Sequence, residues 1–219
     1  MNNTDKIIEN QIKEKLQNEM TSGIDINVRC LNGHVVLYGI VDTLSEKNCA
    51  QKIAENIDGV IEVENNITIA TDGKIKDKDI KRGILRNLRN SKFYEEIGEL
   101  GVDVSDGIVT LYGKINNAQQ EIESINQAAQ TIGVKNVISK LELNKEQMLD
   151  DASLVNLVVQ KLYRYDLNLP DLVITANNGV ITLSGYVNDL KEKKLANEVV
   201  QSIDGVRKVV DRIKIREKS

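Results

Sequence analysis

The chain has no tryptophan, one phenylalanine, one proline, one histidine and two cysteines among its 219 residues. Each scarcity excludes something. So few aromatic rings leave little to stack on nucleic-acid bases. One histidine and two cysteines cannot assemble an ordinary His/Cys metal site or a disulfide framework. Cys30 lies in an alternating apolar run and Cys49 in a helical pattern, so both read as buried or half-buried thiols. No stretch reaches the ~20 apolar residues of a membrane span. The opening MNNTDKIIENQIKEKLQNEM lacks the apolar segment of a signal peptide, so a cytoplasmic location is expected. A basic excess is also missing: 29 Lys and Arg face 33 Asp and Glu, a net charge of −4. That disfavours nucleic acid as the partner of the whole chain. What is present is enough apolar residue, 41%, to fold.

The dominant feature is internal repetition. Gly33-His-Val-Val-Leu-Tyr-Gly39 returns as Gly107-Ile-Val-Thr-Leu-Tyr-Gly113 and as Gly179-Val-Ile-Thr-Leu-Ser-Gly185. A Gly-Val pair follows 20 residues after the second glycine each time, at Gly59, Gly133 and Gly205. The copies are offset by 74 and 72 residues, which divides the chain into units 1–72, 73–145 and 146–219.

Each unit reads as α-β-β-α-β. In the first, Ile8, Ile12 and Leu16 have helical spacing, and Ile24, Ile26, Val28 and Cys30 alternate with polar residues as in a half-buried strand. Asn32-Gly33, Asp106-Gly107 and Asn178-Gly179 are the dipeptides of two-residue hairpin turns with positive φ. A second strand, His34 to Val41, precedes a helix from Leu44 to Ile57 that Asp58-Gly59 ends. A last strand reaches about Ala70. The predicted fold class is α+β: three tandem units, each a mixed three-stranded sheet with both helices on one face. Val35, Leu37, Val41 and their counterparts Val109, Leu111, Ile115, Ile181, Leu183 and Val187 are expected to face the helices.

The order α-β-β-α-β, the G-x-[VI]-x-L-x-G strand after a tight turn, and the later Gly-Val resemble the BON domain (bacterial OsmY and nodulation), three times over. The resemblance implies a non-enzymatic module of bacterial envelope proteins that attaches to phospholipid or other envelope surfaces, often in osmotic or envelope stress. Members of that family are commonly exported or lipid-anchored. This chain shows neither an export signal nor a lipobox cysteine, which moves the expected membrane contact to the cytoplasmic face.

Candidate chemistry is sparse. His34 flanks a turn, and its slot holds Ile108 and Val180 in the other units. The paired glycines lie before and inside a strand, so they form no phosphate-binding G-x-G-x-x-G turn. Asp103 and Asp106, like Asp150 and Asp151, read as turn and N-cap residues. No calcium loop is present. No cofactor and no enzymatic activity are expected.

Charge is more informative. Unit one carries a net −6, unit two +2 and unit three zero. Within unit two, residues 74–92 hold eight basic and two acidic side chains, followed by Phe93-Tyr94. On a helix, Ile80, Ile84 and Leu88 share one face, with Lys78, Arg82, Arg86 and Arg89 on the far side. With Lys92, Phe93 and Tyr94 these form the candidate lipid-binding set, because such a stripe suits an anionic lipid surface. Two alternatives stand beside it: docking onto acidic unit one, and a nucleic-acid phosphate backbone.

The sheet faces away from the helices carry Val36, Tyr38 and Ile40; Thr110, Tyr112 and Lys114; and Thr182, Ser184 and Tyr186. The apolar row of unit one calls for a cover, by another unit or a second molecule. The unit-three helix, with Leu154, Val155, Leu157, Val158, Val159 and Leu162, is expected to be buried on two sides. The short linkers Thr71–Lys78 and Asn144–Asp151 imply contact between units. The competing functional expectation is therefore a protein-interaction or self-assembly scaffold that uses the open sheet faces.

Overall fold

Asn32, Asp106 and Asn178 adopt φ of 52°, 51° and 49°, and the glycine after each follows at 78°, 79° and 76°. Two consecutive positive φ values define the type I′ turn, whose twist matches that of a hairpin. All three hairpin glycines thus have the predicted conformation. The computed structural model describes residues 3–70, 75–91, 100–144, 149–165, 167 and 171–216.

Around these turns each repeat builds the predicted order. Repeat 1 runs α1 (Asn3–Glu19), a 3-10 turn (Thr21–Asp25), β1 (Ile26–Leu31), β2 (His34–Val41), α2 (Leu44–Glu55) and β3 (Glu62–Ile69). Repeat 2 runs α3 (Asp77–Arg89), β4 (Gly101–Ser105), β5 (Ile108–Ile115), α4 (Ala118–Ala129) and β6 (Asn136–Leu143). Repeat 3 runs α5 (Asp151–Tyr163), β7 (Leu172–Asn177), β8 (Val180–Val187), α6 (Leu190–Gln201) and β9 (Lys208–Ile215). Each has its own sheet, in sequence order β1-β2-β3, β4-β5-β6 and β7-β8-β9. β1 and β2 are antiparallel while β2 and β3 are parallel; β7, β8 and β9 repeat that arrangement. The helix between the parallel strands is the crossover that such a pair requires.

By contact the chain gathers into two compact units. One is Met1–Ser91 with Val102–Thr110 and Ile125–Ile138; the other is Lys92–Gly101 with Leu111–Ser124 and Ser139–Ser219. Repeat 2 contributes to both.

The core of repeat 1 joins Ile8, Ile12 and Leu16 of α1 and Ala50, Ile53 and Ala54 of α2 to Val28, Val35, Leu37 and Ile67 of the sheet. Both helices therefore lie on one face. In repeat 3, Leu154, Val158, Leu162, Ala196 and Val200 meet Ile181, Leu183 and Ile213 in the same way. All nine core positions expected on the three middle strands are buried.

The paired glycines have a physical cause. A Cβ on Gly33 would lie 2.7 Å from the carbonyl oxygen of Gly59, and one on Gly107 would lie 2.7 Å from that of Gly133. In repeat 3 the same approach, Gly179 to Gly205, is 3.0 Å. Gly59, Gly133 and Gly205, with φ of 89°, 90° and 88°, form the turn after the second helix. The hairpin and that turn thus touch backbone to backbone, and the Gly33 carbonyl accepts the Ile61 N–H at 2.8 Å to start the parallel pairing. The second glycine of each string also has positive φ, at Gly39, Gly113 and Gly185. At Gly39 and Gly185 the carbonyl oxygens of Asp25 and Asp171 occupy the space of a side chain.

Two expectations need correction. The strand expected from Ile24 begins at Ile26, because Thr21–Asp25 forms the 3-10 turn that brings the Asp25 carbonyl onto Gly39. The α5 helix buries a single stripe, Leu154, Val158 and Leu162, while Val159 remains 38% exposed. Within the single chain the sheet face of repeat 1 stays exposed, Ile40 at 57% and Tyr38 at 36%. Contact between repeats is present, however. The Ala118 N–H donates to the Val206 carbonyl, the Gly205 N–H to the Asn116 carbonyl, and Asn117 Nδ2 to Asp204 Oδ1, all at 2.8 Å. Ala118 itself is part of the repeat 3 core.

Candidate functional site

The α3 helix is built by its apolar stripe and oriented by two contacts. Ile80, Ile84 and Leu88 are buried. Asp77 and Asp79 in the first turn and Arg86 and Arg89 in the last complement the helix dipole. At its start, the Asp77 carboxylate accepts the N–H groups of Asp106 at 2.9 Å and Gly107 at 3.1 Å, both in the hairpin turn. Along its flank, Gly83 lies against Thr131, and Asn87 Nδ2 donates to Thr131 Oγ1 at 3.0 Å. Those contacts fix which side remains outward.

That side is the cationic one. Lys78, Arg82, Arg86 and Arg89 are all exposed and fall within about 80° around the helix axis, roughly opposite the buried stripe. Arg82 pairs with Asp79 at 3.4 Å one turn away on its own helix, and Lys81 with Asp103 on β4 at 3.4 Å. Among the described residues, no ion pair joins these arginines to Glu62 or Glu64. Glu62 instead meets His34 Nδ1 at 3.1 Å. Lys92, Phe93 and Tyr94 lie outside the described residues.

The same helix start recurs. Asp5 Oδ1 accepts the Gly33 N–H at 3.4 Å, and Asp151 Oδ2 accepts the Asn178 N–H at 3.2 Å. These clamps set the three helices in register. The positions of Lys78, Arg82, Arg86 and Arg89 then correspond to Lys6, Asn10, Glu14 and Gln17 in α1, and to Ala152, Asn156, Gln160 and Tyr163 in α5. The fold does not require a cationic face; repeat 2 alone carries one. Sequence reasoning missed the clamp carboxylates. Their signal is an Asp-x-x-Ile or Asp-x-x-Leu that precedes each hairpin glycine by 28 to 30 residues.

The remaining candidates have structural roles. Asp150 caps α5 by accepting the Ser153 N–H at 2.9 Å, and the Ser153 hydroxyl and N–H hold its carboxyl below the usual range. Burial pushes the thiols of Cys30 and Cys49 up, and the Cys30 Sγ lies 3.6 Å from Asp5 Oδ1. Among the described residues no three His, Cys, Asp or Glu side chains gather to hold a metal ion. Among them, too, no helix is long and apolar enough to cross a membrane.

This repeated sheet, with its hairpin and helix-cap glycines, is the BON domain. The family matches residues 4–71, 76–145 and 150–217, so the chain belongs to the BON domain family and consists of three tandem copies. No curated protein matches it. Among solved structures, CdsD, a structural protein of the type III secretion system of Chlamydia trachomatis, is 15% identical over 94% of this chain and 91% of its own, with a TM-score of 0.28. The periplasmic domain of PrgH, an inner-membrane protein of that type of system from S. typhimurium, is 10% identical over 93% of this chain and 100% of its own, with a TM-score of 0.24. Likenesses this low carry no argument about function.

Proposed function

We propose that the protein is a non-catalytic array that attaches to an anionic phospholipid surface through the α3 face of repeat 2. The observation that supports this reading is a predominantly cationic exposed face, Lys78, Arg82, Arg86 and Arg89 with Asp79 paired to Arg82 at its edge, on one of three otherwise equivalent helices. Each basic group near an anionic bilayer contributes about 1 kcal/mol, so four contribute on the order of 4 kcal/mol, near a thousandfold in binding. Phe93 and Tyr94, next in the chain, supply rings suited to the headgroup level. The cytoplasmic leaflet is the proposed surface, and the envelope-stress role implied by the family belongs to the same proposal.

Co-sedimentation with vesicles tests it. Anionic vesicles should retain the protein at low salt and zwitterionic ones should not. Arg82→Glu, Arg86→Glu and Arg89→Glu together should abolish retention without changing the circular dichroism. Wild-type protein that ignores anionic vesicles at low salt would falsify the reading.

A further inference from the structure

Sheets 1 and 3 leave one face each open, and the two faces carry opposite charge. On sheet 1 the register places Leu31, Arg29 and Asn27 of β1 beside His34, Val36 and Tyr38 of β2, and those beside Glu62, Glu64 and Asn66 of β3. Its outer strand is thus acidic. On sheet 3 the same positions hold Val173 and Thr175 of β7, then Thr182, Ser184 and Tyr186 of β8, then Lys208, Val210, Arg212 and Lys214 of β9. Its outer strand carries three cations and no carboxylate on that face. Lys208, Arg212 and Lys214 are exposed, as are Glu62 and Glu64. The middle sheet has no such strip, since exposed Lys140 and Glu142 alternate in sign on β6.

Both faces also expose apolar surface. Leu31 is 64% and Ile40 57% exposed on sheet 1; Val173 is 59% and Tyr186 49% exposed on sheet 3. A groove of about 630 Å³ wraps the β1 edge of sheet 1, lined by Arg29, Leu31, His34 and Tyr38 of the sheet and by Glu9 and Lys13 of α1.

We propose that the open face of sheet 1 in one molecule docks on the open face of sheet 3 in a second copy of this chain. Charge selects the orientation. Two aligned sheets can meet face to face in two ways. With strands parallel, β9 would lie over β1 and set its cations against Arg29. With strands antiparallel, β9 lies over β3, so Lys214 and Arg212 at its end meet Glu62 and Glu64 at the start of β3. The same placement sets Tyr186 over the His34–Val36 end of β2, at the groove. β7 then covers β1, and its face brings no charge to Arg29.

A bilayer would suit the sheet 3 face but not its acidic counterpart; a second copy covers both. The contact area is modest. Three strands of about eight residues span roughly 26 by 15 Å, which makes a weak interface. Association is therefore expected only at high protein concentration and low salt. The two faces are different surfaces, so the contact either closes into a small ring or runs on.

Sedimentation of the full chain at roughly 0.1–1 mM tests this, in salt low enough to leave exposed charges unscreened. Wild-type mass should rise to dimer or beyond, and return to monomer at high salt. Glu62→Lys with Glu64→Lys, or Arg212→Glu with Lys214→Glu, should each weaken association about tenfold. Combining all four in one chain, or mixing the two variants, should restore it, because the charges are exchanged. Circular dichroism establishes that each variant folds. As a second readout, Glu64→Cys and Arg212→Cys chains, mixed under oxidation, should cross-link to each other more than to themselves. A monomeric wild type, association that survives both pair variants, or a folded fourfold variant that stays monomeric would overturn the proposal. So would loss of vesicle binding in the Arg212→Glu, Lys214→Glu chain with wild type monomeric, which makes sheet 3 a membrane face. The α3 arginines lie on neither face, so vesicle retention and self-association fail independently.

Discussion

The Asp77 carboxylate holds the hairpin turn of its own repeat, accepting the N–H of Asp106 at 2.9 Å and of Gly107 at 3.1 Å. A helix start and a turn 30 residues away are thereby fastened by one side chain. Asp77→Ala should destabilise repeat 2 by about 1–2 kcal/mol, since charge-assisted hydrogen bonds are lost from a partly exposed site. Asp77→Asn should recover part of that. Asp5 is 3% exposed, so Asp5→Ala should cost more, about 2–3 kcal/mol. Amide exchange, which reads each repeat separately, measures the difference; equal protection in variant and wild type would remove the clamp from the stability of the fold.

Alanine at the hairpin glycines meets two penalties. The left-handed conformation costs about 1–2 kcal/mol for a residue with a Cβ. A backbone oxygen 2.7 Å away from that Cβ at Gly33 and Gly107 adds to it, against 3.0 Å at Gly179. Gly33→Ala and Gly107→Ala should therefore destabilise more than Gly179→Ala, in chemical denaturation followed repeat by repeat. The reverse order would contradict the contact between the two turns.

The lipid reading has a salt signature. Exposed charges are screened over about 10 Å at 0.1 M salt, so retention on anionic vesicles should fall steeply as salt rises. Phe93→Ala should weaken retention at every salt concentration and leave the slope unchanged, because a ring releases no counterions. A changed slope would show that Phe93 acts through the arginines.

The two thiols should react in order. Burial raises both above the ordinary thiol range, but Cys30 is buried in the repeat 1 core and Cys49 only half-buried. Folded protein should label at Cys49 first with a thiol reagent. Labelling of Cys30 should keep pace with the opening of repeat 1 as denaturant is added. Raising the pH toward the thiol range should speed Cys49 at once and Cys30 only in step with unfolding.

Most of the fold was legible because two periodicities and three Asn-Gly or Asp-Gly turns point the same way in three copies. Ile24 continues the alternation of Ile26, Val28 and Cys30, yet it belongs to the 3-10 turn that seats the Asp25 carbonyl against Gly39, a contact that alternation alone does not show. Val155 and Val159 suggested a second buried stripe on α5, yet apolar spacing alone does not say whether a neighbour arrives. The cationic face of α3 followed from helical spacing. The clamp carboxylates did not, since an Asp in a first helical turn already has a local explanation in the dipole. The opposed charges of the sheet 1 and sheet 3 faces became visible only when the parallel register assigned each charge of β3 and β9 to a side.

The joint between Asn116–Ala118 and Asp204–Val206 sets a timetable for synthesis. Helix α4 receives one of its first amide bonds, Ala118 N–H to the Val206 carbonyl, from a residue 88 positions later in the chain. At 5–20 residues per second a ribosome needs roughly 4–18 s to deliver it. For that interval the Ala118 N–H of nascent repeat 2 lacks its acceptor in repeat 3. Ala118, a core residue of repeat 3, stays wet until its partner emerges. A chain ending after repeat 2 would leave that amide and the Ala118 side chain without their repeat 3 partners.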